Sequence, residues 1–264
     1  MTGRKIAVAS TFSPRFLSVL GEAARFSKNL DGVLHIIHAA SHSEEKEIRF
    51  REAFAALGLP ADTVIYWSDA PRPLEAILTI LEEQKIETLI AGALEREPEH
   101  RNFTGNVARD LLLKCPCDLV LLTHPRQELE SIARIVMVVD LIDVDEKWIK
   151  AALEVCRREG SPLLNVISIV TPFDRFREDM PTDSTGELEA RLEELLEKAG
   201  NYDGEMDCRI VRSNTGFNAC EVIQALEPDL LLARRGMSDS ELLLPRHMDW
   251  LPQVIPANAV IFRS

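Results

Sequence analysis

Short apolar runs alternate along the chain with longer segments in which apolar residues recur every three or four positions. In the first half, apolar runs predict five strands, at Ile6–Ala9, Val33–Ala40, Thr63–Trp67, Thr88–Ala91 and Leu119–Leu122. Helices are predicted between them, one after Pro14 that Gly32 closes, then Glu44–Leu57, Pro71–Glu83 and Val107–Leu113. Strands separated by helices are typical of parallel βαβ units with helices on both faces of the sheet.

The second half repeats this order. Strands are predicted at Val136–Val139, Leu163–Val170, Asp207–Val211, Leu230–Ala233 and Ala259–Phe262, and helices at Val144–Arg158, Glu187–Lys198 and Ala219–Leu226. A loop with a short helix is expected before the last strand. The first strands of the two halves begin at Lys5 and Arg134, 129 residues apart, a spacing too long for a solenoid repeat. The sequence therefore predicts a duplicated domain, with domains at 1–125 and 131–264 and a linker between them.

Net charge is uneven between the halves. The chain of 264 residues carries a net charge of −13, and residues 126–264 hold 16 Lys and Arg against 26 Asp and Glu. This excess of carboxylates argues against nucleic acid or an anionic membrane as a partner of the second half, because phosphates would be repelled. No segment has the roughly 20 consecutive apolar residues that span a bilayer, and no signal-peptide pattern precedes the first strand. We therefore expect no membrane insertion and a cytoplasmic location.

Cysteines and histidines give no metal pattern. The five cysteines lack metal-ligand spacing, and a disulfide within Cys115-Pro-Cys117 is disfavoured by the intervening proline, so reduced structural thiols are predicted. His35 and His38 lie an odd number of residues apart on one predicted strand and would point to opposite faces. Both are predicted to be core histidines. No metal site is expected, and no nucleophile elbow or Walker loop is present.

One segment resembles the universal stress protein family in its tandem form. The segment runs from Thr88-Leu-Ile-Ala-Gly92 through Gly105-Asn106 to Cys115-Pro-Cys, before the last strand of the first half. The nucleotide-binding members of that family have Gly-x2-Gly-x9-Gly-Ser/Thr here, followed by a helix and a Pro-Cys-Pro-type entry to a strand. The resemblance implies two Rossmann-like α/β domains of the adenine nucleotide alpha hydrolase type, each a five-stranded parallel sheet, arranged as an intrachain pseudo-dimer. Antiparallel pairing of the last strands would join the domains.

In the first domain the resemblance implies a partly altered nucleotide site. Gly92, Gly105 and the helix-capping Asn106 occupy motif positions, and glycines before a helix let backbone N–H groups approach phosphates. Glu95, however, stands at the second glycine position, where a carboxylate repels a triphosphate. Thr11 stands where the binding members have an acidic residue. The glycines then serve either a ligand or only the packing of the loop and helix, and ATP or AMP is the cofactor implied, bound weakly or not at all.

The second domain departs from the pattern in the opposite way. Asp140 stands at the acidic position, whereas the phosphate loop is shortened and Arg234 falls at its first glycine position. Arg234, Arg235, Arg246 and His247 together offer either an anion pocket for another ligand or partners for the many carboxylates of this half. We favour the second alternative.

These observations predict a universal stress protein that acts by binding and regulation rather than by robust catalysis. Three alternatives stay open: a sensor that binds ATP or AMP in the first domain, a slow ATPase or nucleotide-dependent transferase, and a regulator of a transporter or kinase. The protein partner is unidentified, and the chain is expected to be a monomeric pseudo-dimer or a homodimer.

Overall fold

The computed structural model describes residues 3–93, 106–125, 132–172, 174, 184–213, 216–238, 241–244 and 248–263. The chain divides into two compact units. Unit 1 comprises Met1–Glu99 and Thr104–Glu130, and unit 2 comprises His100–Phe103 and Ser131–Ser264.

Unit 1 is built on a parallel sheet with the strand order β3-β2-β1-β4-β5. Its strands are β1 (Arg4–Ala9), β2 (Gly32–His38), β3 (Ile65–Trp67), β4 (Thr88–Gly92) and β5 (Asp118–Leu122), and its helices are α1 (Phe16–Asn29), α2 (Glu44–Leu57), α3 (Pro73–Gln84) and α4 (Asn106–Lys114). Nearly continuous apolar runs bury the central strands on both faces, so Val8, Leu89 and Ile90 have no exposed surface. Because the chain crosses from β1 to β2 on one side and β4 lies on the other, the strand order reverses between β1 and β4. Open parallel sheets bind ligands at this reversal, beside the carboxyl ends of the strands.

Gly32 does not close α1, contrary to the sequence prediction. The helix ends at Asn29, and Gly32 is the first residue of β2, where it pairs with Arg4 of β1. A Cβ atom on Gly32 would lie 2.5 Å from Cδ1 of Ile6 and 2.9 Å from the carbonyl oxygen of Arg4. Glycine is therefore required here by the close approach of two strands rather than by a helix end.

Unit 2 has a second parallel sheet, with the strand order β11-β9-β6-β7-β8. Its strands are β6 (Arg134–Val138), β7 (Leu163–Val170), β8 (Glu205–Arg212), β9 (Leu230–Ser238), β10 (Glu241–Leu243) and β11 (Asn258–Arg263), and its helices are α5 (Glu146–Glu159), α6 (Thr185–Ala199) and α7 (Gly216–Ala225). The strand order reverses between β6 and β9. The predicted α/β class, with two mostly parallel sheets, is confirmed.

The segment after Ala233 differs from the prediction of a loop. Strand β9 continues through Arg234 and Arg235 to Ser238, and β10 pairs with it antiparallel, Leu243 opposite Gly236. Once β9 continues as an extended strand, its backbone N–H groups cannot curl around a phosphate as a loop does. The hairpin therefore replaces the phosphate loop that the family pattern places here.

The described helices are short. They run from 9 residues in α4 to 15 residues in α6. Within the described ranges, no helix combines the length and the apolar character needed to cross a membrane.

Candidate ligand cavity of unit 1

A cavity of about 320 Å³ lies at the strand-order reversal of unit 1. Its walls come from the carboxyl ends of β1, β2 and β4 and from helices α1, α3 and α4. The apolar lining residues are Ala9, Phe16, Val19, Ile37, Ala39, Pro73, Ile77, Ala91, Val107, Ala108 and Leu111. Beside Gly92, the polar ones are Ser10, Thr11, Ser13, Arg15 and His38, and none of the described lining residues is acidic. This volume lies at the small end of the range of natural ligand sites, about 300–1,000 Å³.

Arg15 carries the charge of this cavity. It is the N-cap residue of α1 and is half-buried. Its Nη1 donates to the carbonyl oxygen of Thr123 at 2.7 Å, and its Nη2 donates to that of Ala93 at 2.8 Å. The guanidinium is thereby held across the carboxyl ends of β4 and β5. Backbone carbonyls supply only dipoles, so the positive charge of Arg15 is not neutralised by them.

His38 forms the aromatic end of the cavity. Its Nδ1 donates to the carbonyl oxygen of Ser10 at 2.9 Å, and its ring contacts those of Phe12, Phe50 and Trp67, with centroids 5.1 to 5.3 Å away. Burial lowers the pKa of His38 below its usual value, the bond to Ser10 acts in the opposite direction, and nearby Lys46 lowers it further. A neutral His38 leaves Arg15 as the cation of the described cavity wall.

Both strand histidines are core residues, as predicted. His35 has 8% of its surface exposed and His38 has 6%. His35 stacks on Tyr66 with ring centroids 5.6 Å apart, and its Nδ1 lies 3.1 Å from the Tyr66 hydroxyl. Burial lowers the pKa of His35, and Lys5 adds to the effect. The described residues contain no cluster of His, Cys, Asp and Glu that could hold a metal ion.

Two of the predicted site residues of the first domain lie in the cavity wall. Gly92 ends β4, and a Cβ atom there would lie 3.2 Å from Cγ2 of Val19, so its small size lets α1 approach the strand. Thr11 lies just beyond β1 and is exposed. Asn106 is the first residue of α4, but its side chain lies outside the described residues, as do Glu95 and Gly105. The role of Asn106 as a cap and the effect of Glu95 on phosphates stay predictions.

Sequence reasoning missed Arg15. A signal for it was available, because α1 begins with an arginine at its N-cap and has no acidic residue in its first turn. Cations are unfavourable at a helix N-terminus, where the helix dipole is positive. A basic residue at this place, directly after a strand that ends at the sheet reversal, indicates a use other than helix stability.

The corresponding place in unit 2 is filled. Among the residues that the structure describes in unit 2, a space of about 20 Å³ lies between the ends of β6 and β9, and Trp148 and Met248 line it. Trp148 has 4% of its surface exposed and Met248 has 1%. A bulky α5 side chain therefore stands where unit 1 has its cavity, and the remaining space is about that of one water molecule.

Two of the charged residues predicted for a site in unit 2, Asp140 and Arg234, contact backbone N–H groups or neighbouring carboxylates. Asp140 Oδ1 accepts hydrogen bonds from the backbone N–H groups of Ile142 at 2.8 Å and Asp143 at 3.3 Å. Arg234 lies 3.5 Å from a carboxylate oxygen of Asp143 and 3.8 Å from one of Asp145. Arg234 therefore lies beside carboxylates, the alternative favoured from the sequence, and its role in a site stays a prediction. Arg235 is fully buried, and Arg246 and His247 lie outside the described residues.

The predicted state of the cysteines agrees with the structure. None of the five cysteines, all of which the structure describes, forms a disulfide; Cys208 is half-buried and the other four are buried. The Sγ atoms of Cys115 and Cys117 lie 3.6 Å apart, well beyond the S–S bond length of about 2.0 Å. Burial raises the pKa of the Cys156 thiol to about 12 and that of Cys220 to about 11. Thiols of such high pKa are poor nucleophiles, which agrees with a structural role.

Comparison with solved structures identifies the fold. A protein from Pseudomonas aeruginosa UCBPP-PA14 named as a candidate universal stress protein matches with a TM-score of 0.71 at 15% identity, over 99% of this chain and 93% of that chain. A protein of unknown function from Pseudomonas aeruginosa PAO1 matches with a TM-score of 0.71 at 15% identity, over 99% and 92%. A universal stress protein from Archaeoglobus fulgidus DSM 4304 matches with a TM-score of 0.69 at 12% identity, over 100% of this chain and 99% of that chain.

Comparison of the sequence itself adds no family. No protein-family model matches the chain, and no curated protein matches it. The solved structures cover nearly the whole chain at low identity, so what they establish is its architecture. The chain has the fold of the universal stress proteins, as its resemblance to that family predicted.

Proposed function

We propose that this chain is a tandem universal stress protein that acts by binding a small molecule in unit 1, while unit 2 is a closed unit without a ligand. The observation that carries the proposal is the difference between the two sheet reversals. The cavity has about 320 Å³ in unit 1 and about 20 Å³ in unit 2. Regulation then follows when an unidentified protein partner reads the occupied state of unit 1. The cytoplasm stays the predicted location.

Adenine nucleotide is the second candidate for this cavity. It is favoured by the placement of Gly92 at the end of β4 and of α4, whose N-terminus offers backbone N–H groups. Against it, a triphosphate would bring several negative charges to a wall that carries Arg15 as its charged residue. Thr11 also offers a hydroxyl where the resemblance places a carboxylate that contacts the nucleotide. We therefore propose weak or absent binding of ATP and AMP.

Native mass spectrometry of the purified full chain tests the proposal. We expect one small molecule per chain in the wild-type protein and in Ala40→Phe, and none in Ala39→Phe. Ala39 and Ala40 are adjacent and both half-buried, but only Ala39 lines the cavity. The pair therefore separates filling of the cavity from a general effect of the added ring. Equal occupancy of the two variants would refute the proposal.

Calorimetry with ATP separates the two candidates. We expect no low-micromolar affinity in the wild-type protein, and tighter binding after Thr11→Asp combined with Glu95→Gly, which restores the family pattern at both positions. Low-micromolar binding by the wild-type chain would establish the nucleotide sensor instead. If ATP is also turned over slowly and Gly105→Ala abolishes the turnover, the ATPase alternative holds.

A further inference from the structure

No carboxylate of the part of the chain that the structure describes pairs with the guanidinium of Arg15. It lies in no ion pair with a described residue, and it donates hydrogen bonds to the carbonyl oxygens of Ala93 and Thr123. Most other arginines of unit 1 with a described partner meet a carboxylate, as Arg4 meets Asp118 and Arg25 meets Glu22. A guanidinium has five N–H groups, so two bonds to carbonyls leave three. A half-buried cation with donors remaining favours an anion beside it.

The position of Arg15 directs this charge to the cavity. Arg15 is one of the lining residues, together with the hydroxyl-bearing Ser13 and Thr11. Val107 and Ala108, in the first turn of α4, line the same space, so the positive end of that nine-residue helix adds to the field of Arg15. The anion-binding capacity of the cavity is therefore concentrated at one end, near the carboxyl ends of β4 and β5.

Apart from Ser10, Thr11, Ser13 and His38, the rest of the described wall is apolar. Beyond Arg15 the cavity is bounded by the aliphatic side chains of Val19, Ile37, Ile77 and Leu111. A ligand with several charges would lose hydration at this wall without regaining hydrogen bonds, which is unfavourable for each group left unpaired. An alkyl chain gains free energy there for each CH₂ that it buries. The wall therefore selects a ligand with one charged end and an apolar body.

From this distribution of charge and apolar surface we propose that the cavity of unit 1 binds a medium-chain alkyl carboxylate. The carboxylate lies on the Arg15 guanidinium and the alkyl chain lies along Val19, Ile37, Ile77 and Leu111. This inference rests on the proposed function, since it names the class of small molecule that unit 1 binds. It gives the cavity a ligand that needs neither a phosphate loop nor an acidic residue at position 11.

Titration calorimetry with octanoate, decanoate and decanol tests the class of ligand on the wild-type protein. We expect decanoate to bind more tightly than octanoate by about fourfold per added CH₂. Decanol has the same chain without the charge, and we expect it to bind about tenfold to hundredfold more weakly than decanoate, the effect of a charge-assisted hydrogen bond. This comparison requires no variant and is independent of how any substitution affects folding.

Two arginine variants test whether the Arg15 guanidinium is the group that binds the carboxylate. Arg15→Gln should weaken the binding of decanoate by about tenfold to hundredfold and leave the binding of decanol unchanged. The matched control is Arg51→Gln, because Arg51 also donates to two backbone carbonyls, those of Ala61 and Thr63, but lines no part of the cavity. We expect Arg51→Gln to bind decanoate as the wild-type protein does.

The outcomes distinguish this inference from the proposed function. If Ala39→Phe abolishes binding but decanol binds as tightly as decanoate, the cavity is a small-molecule site and the anionic class is wrong. The inference also fails if Arg15→Gln has no effect on decanoate, or if none of the three probes binds. If decanoate binds equally to Ala39→Phe and Ala40→Phe, the cavity is not the site, and the proposed function fails as well.

Discussion

Two glycines of unit 1 give opposite predictions from the same substitution. In Gly32→Ala the new Cβ would lie 2.5 Å from Cδ1 and 2.8 Å from Cγ1 of Ile6, and 2.9 Å from the backbone oxygen of Arg4. The Ile6 side chain has room to move only by disturbing a fully buried core, and the backbone oxygen moves only with β1. Overpacking of this kind costs about 1–3 kcal/mol of unfolding free energy. We therefore expect Gly32→Ala to destabilise unit 1 by that amount.

Gly21 is the matched position. It lies inside α1, and a Cβ atom there would meet Cδ2 of Leu57 at 3.5 Å, an ordinary van der Waals contact. Alanine is preferred over glycine in a helix interior by about 0.8–1 kcal/mol, so Gly21→Ala should stabilise unit 1. Hydrogen exchange resolved by peptides of unit 1 measures both effects without assuming that the two units unfold together. A change of the same sign in both variants would refute the reasoning.

Three further predictions concern unit 1. Because the pKa of His38 is lowered by burial, the folded chain binds fewer protons there than the unfolded chain, so stability present above about pH 6.5 is lost as pH falls through the lowered pKa. In urea unfolding between about pH 8 and 5, His38→Phe should reduce the dependence of the unfolding free energy on pH. His35 should leave part of that dependence in place. An unchanged dependence would contradict the assignment to His38. Arg25→Met should lower the free energy of unfolding in urea by about 3 kcal/mol, because it removes the guanidinium that lies 2.9 Å from the carboxylate of Glu22, which is 3% exposed. A decrease below about 1 kcal/mol would show that this ion pair is as weak as one at the surface. A chain of residues 1–125 should dimerise or aggregate, because β5 has one partner strand within unit 1, and a stable monomer in light scattering would count against the predicted pseudo-dimer.

Local chemistry made much of the fold predictable. The prediction of helix α2 at Glu44–Leu57 was correct at both ends. In the structure Ser43 accepts a hydrogen bond from the backbone N–H of Lys46 at the start of the helix, and Gly58 adopts a positive φ of 66° at its end. Both caps act within a few residues of the helix end, so they can be recognised from the local sequence. The alternation of apolar runs and amphipathic segments likewise requires only neighbours in sequence.

The site was less predictable because its chemistry joins distant residues. Arg15 reaches Ala93 and Thr123, which are 78 and 108 residues away in the chain, and no local pattern marks either carbonyl. In unit 2 the family pattern indicated a loop after Ala233, whereas β9 continues through Arg235 and pairs with β10. The segment is a strand because it pairs with β10, and strand pairing depends on context more than helix formation does.

In the proposed function, small-molecule binding is confined to unit 1. Hydrogen exchange of the full chain can be compared before and after bound small molecules are stripped with a hydrophobic resin. We expect stripping to speed exchange at the carboxyl ends of β1 and β4 and in the first turn of α1, and to leave exchange at the ends of β6 and β9 unchanged. Faster exchange at β6 and β9, with none at β1 and β4, would contradict it.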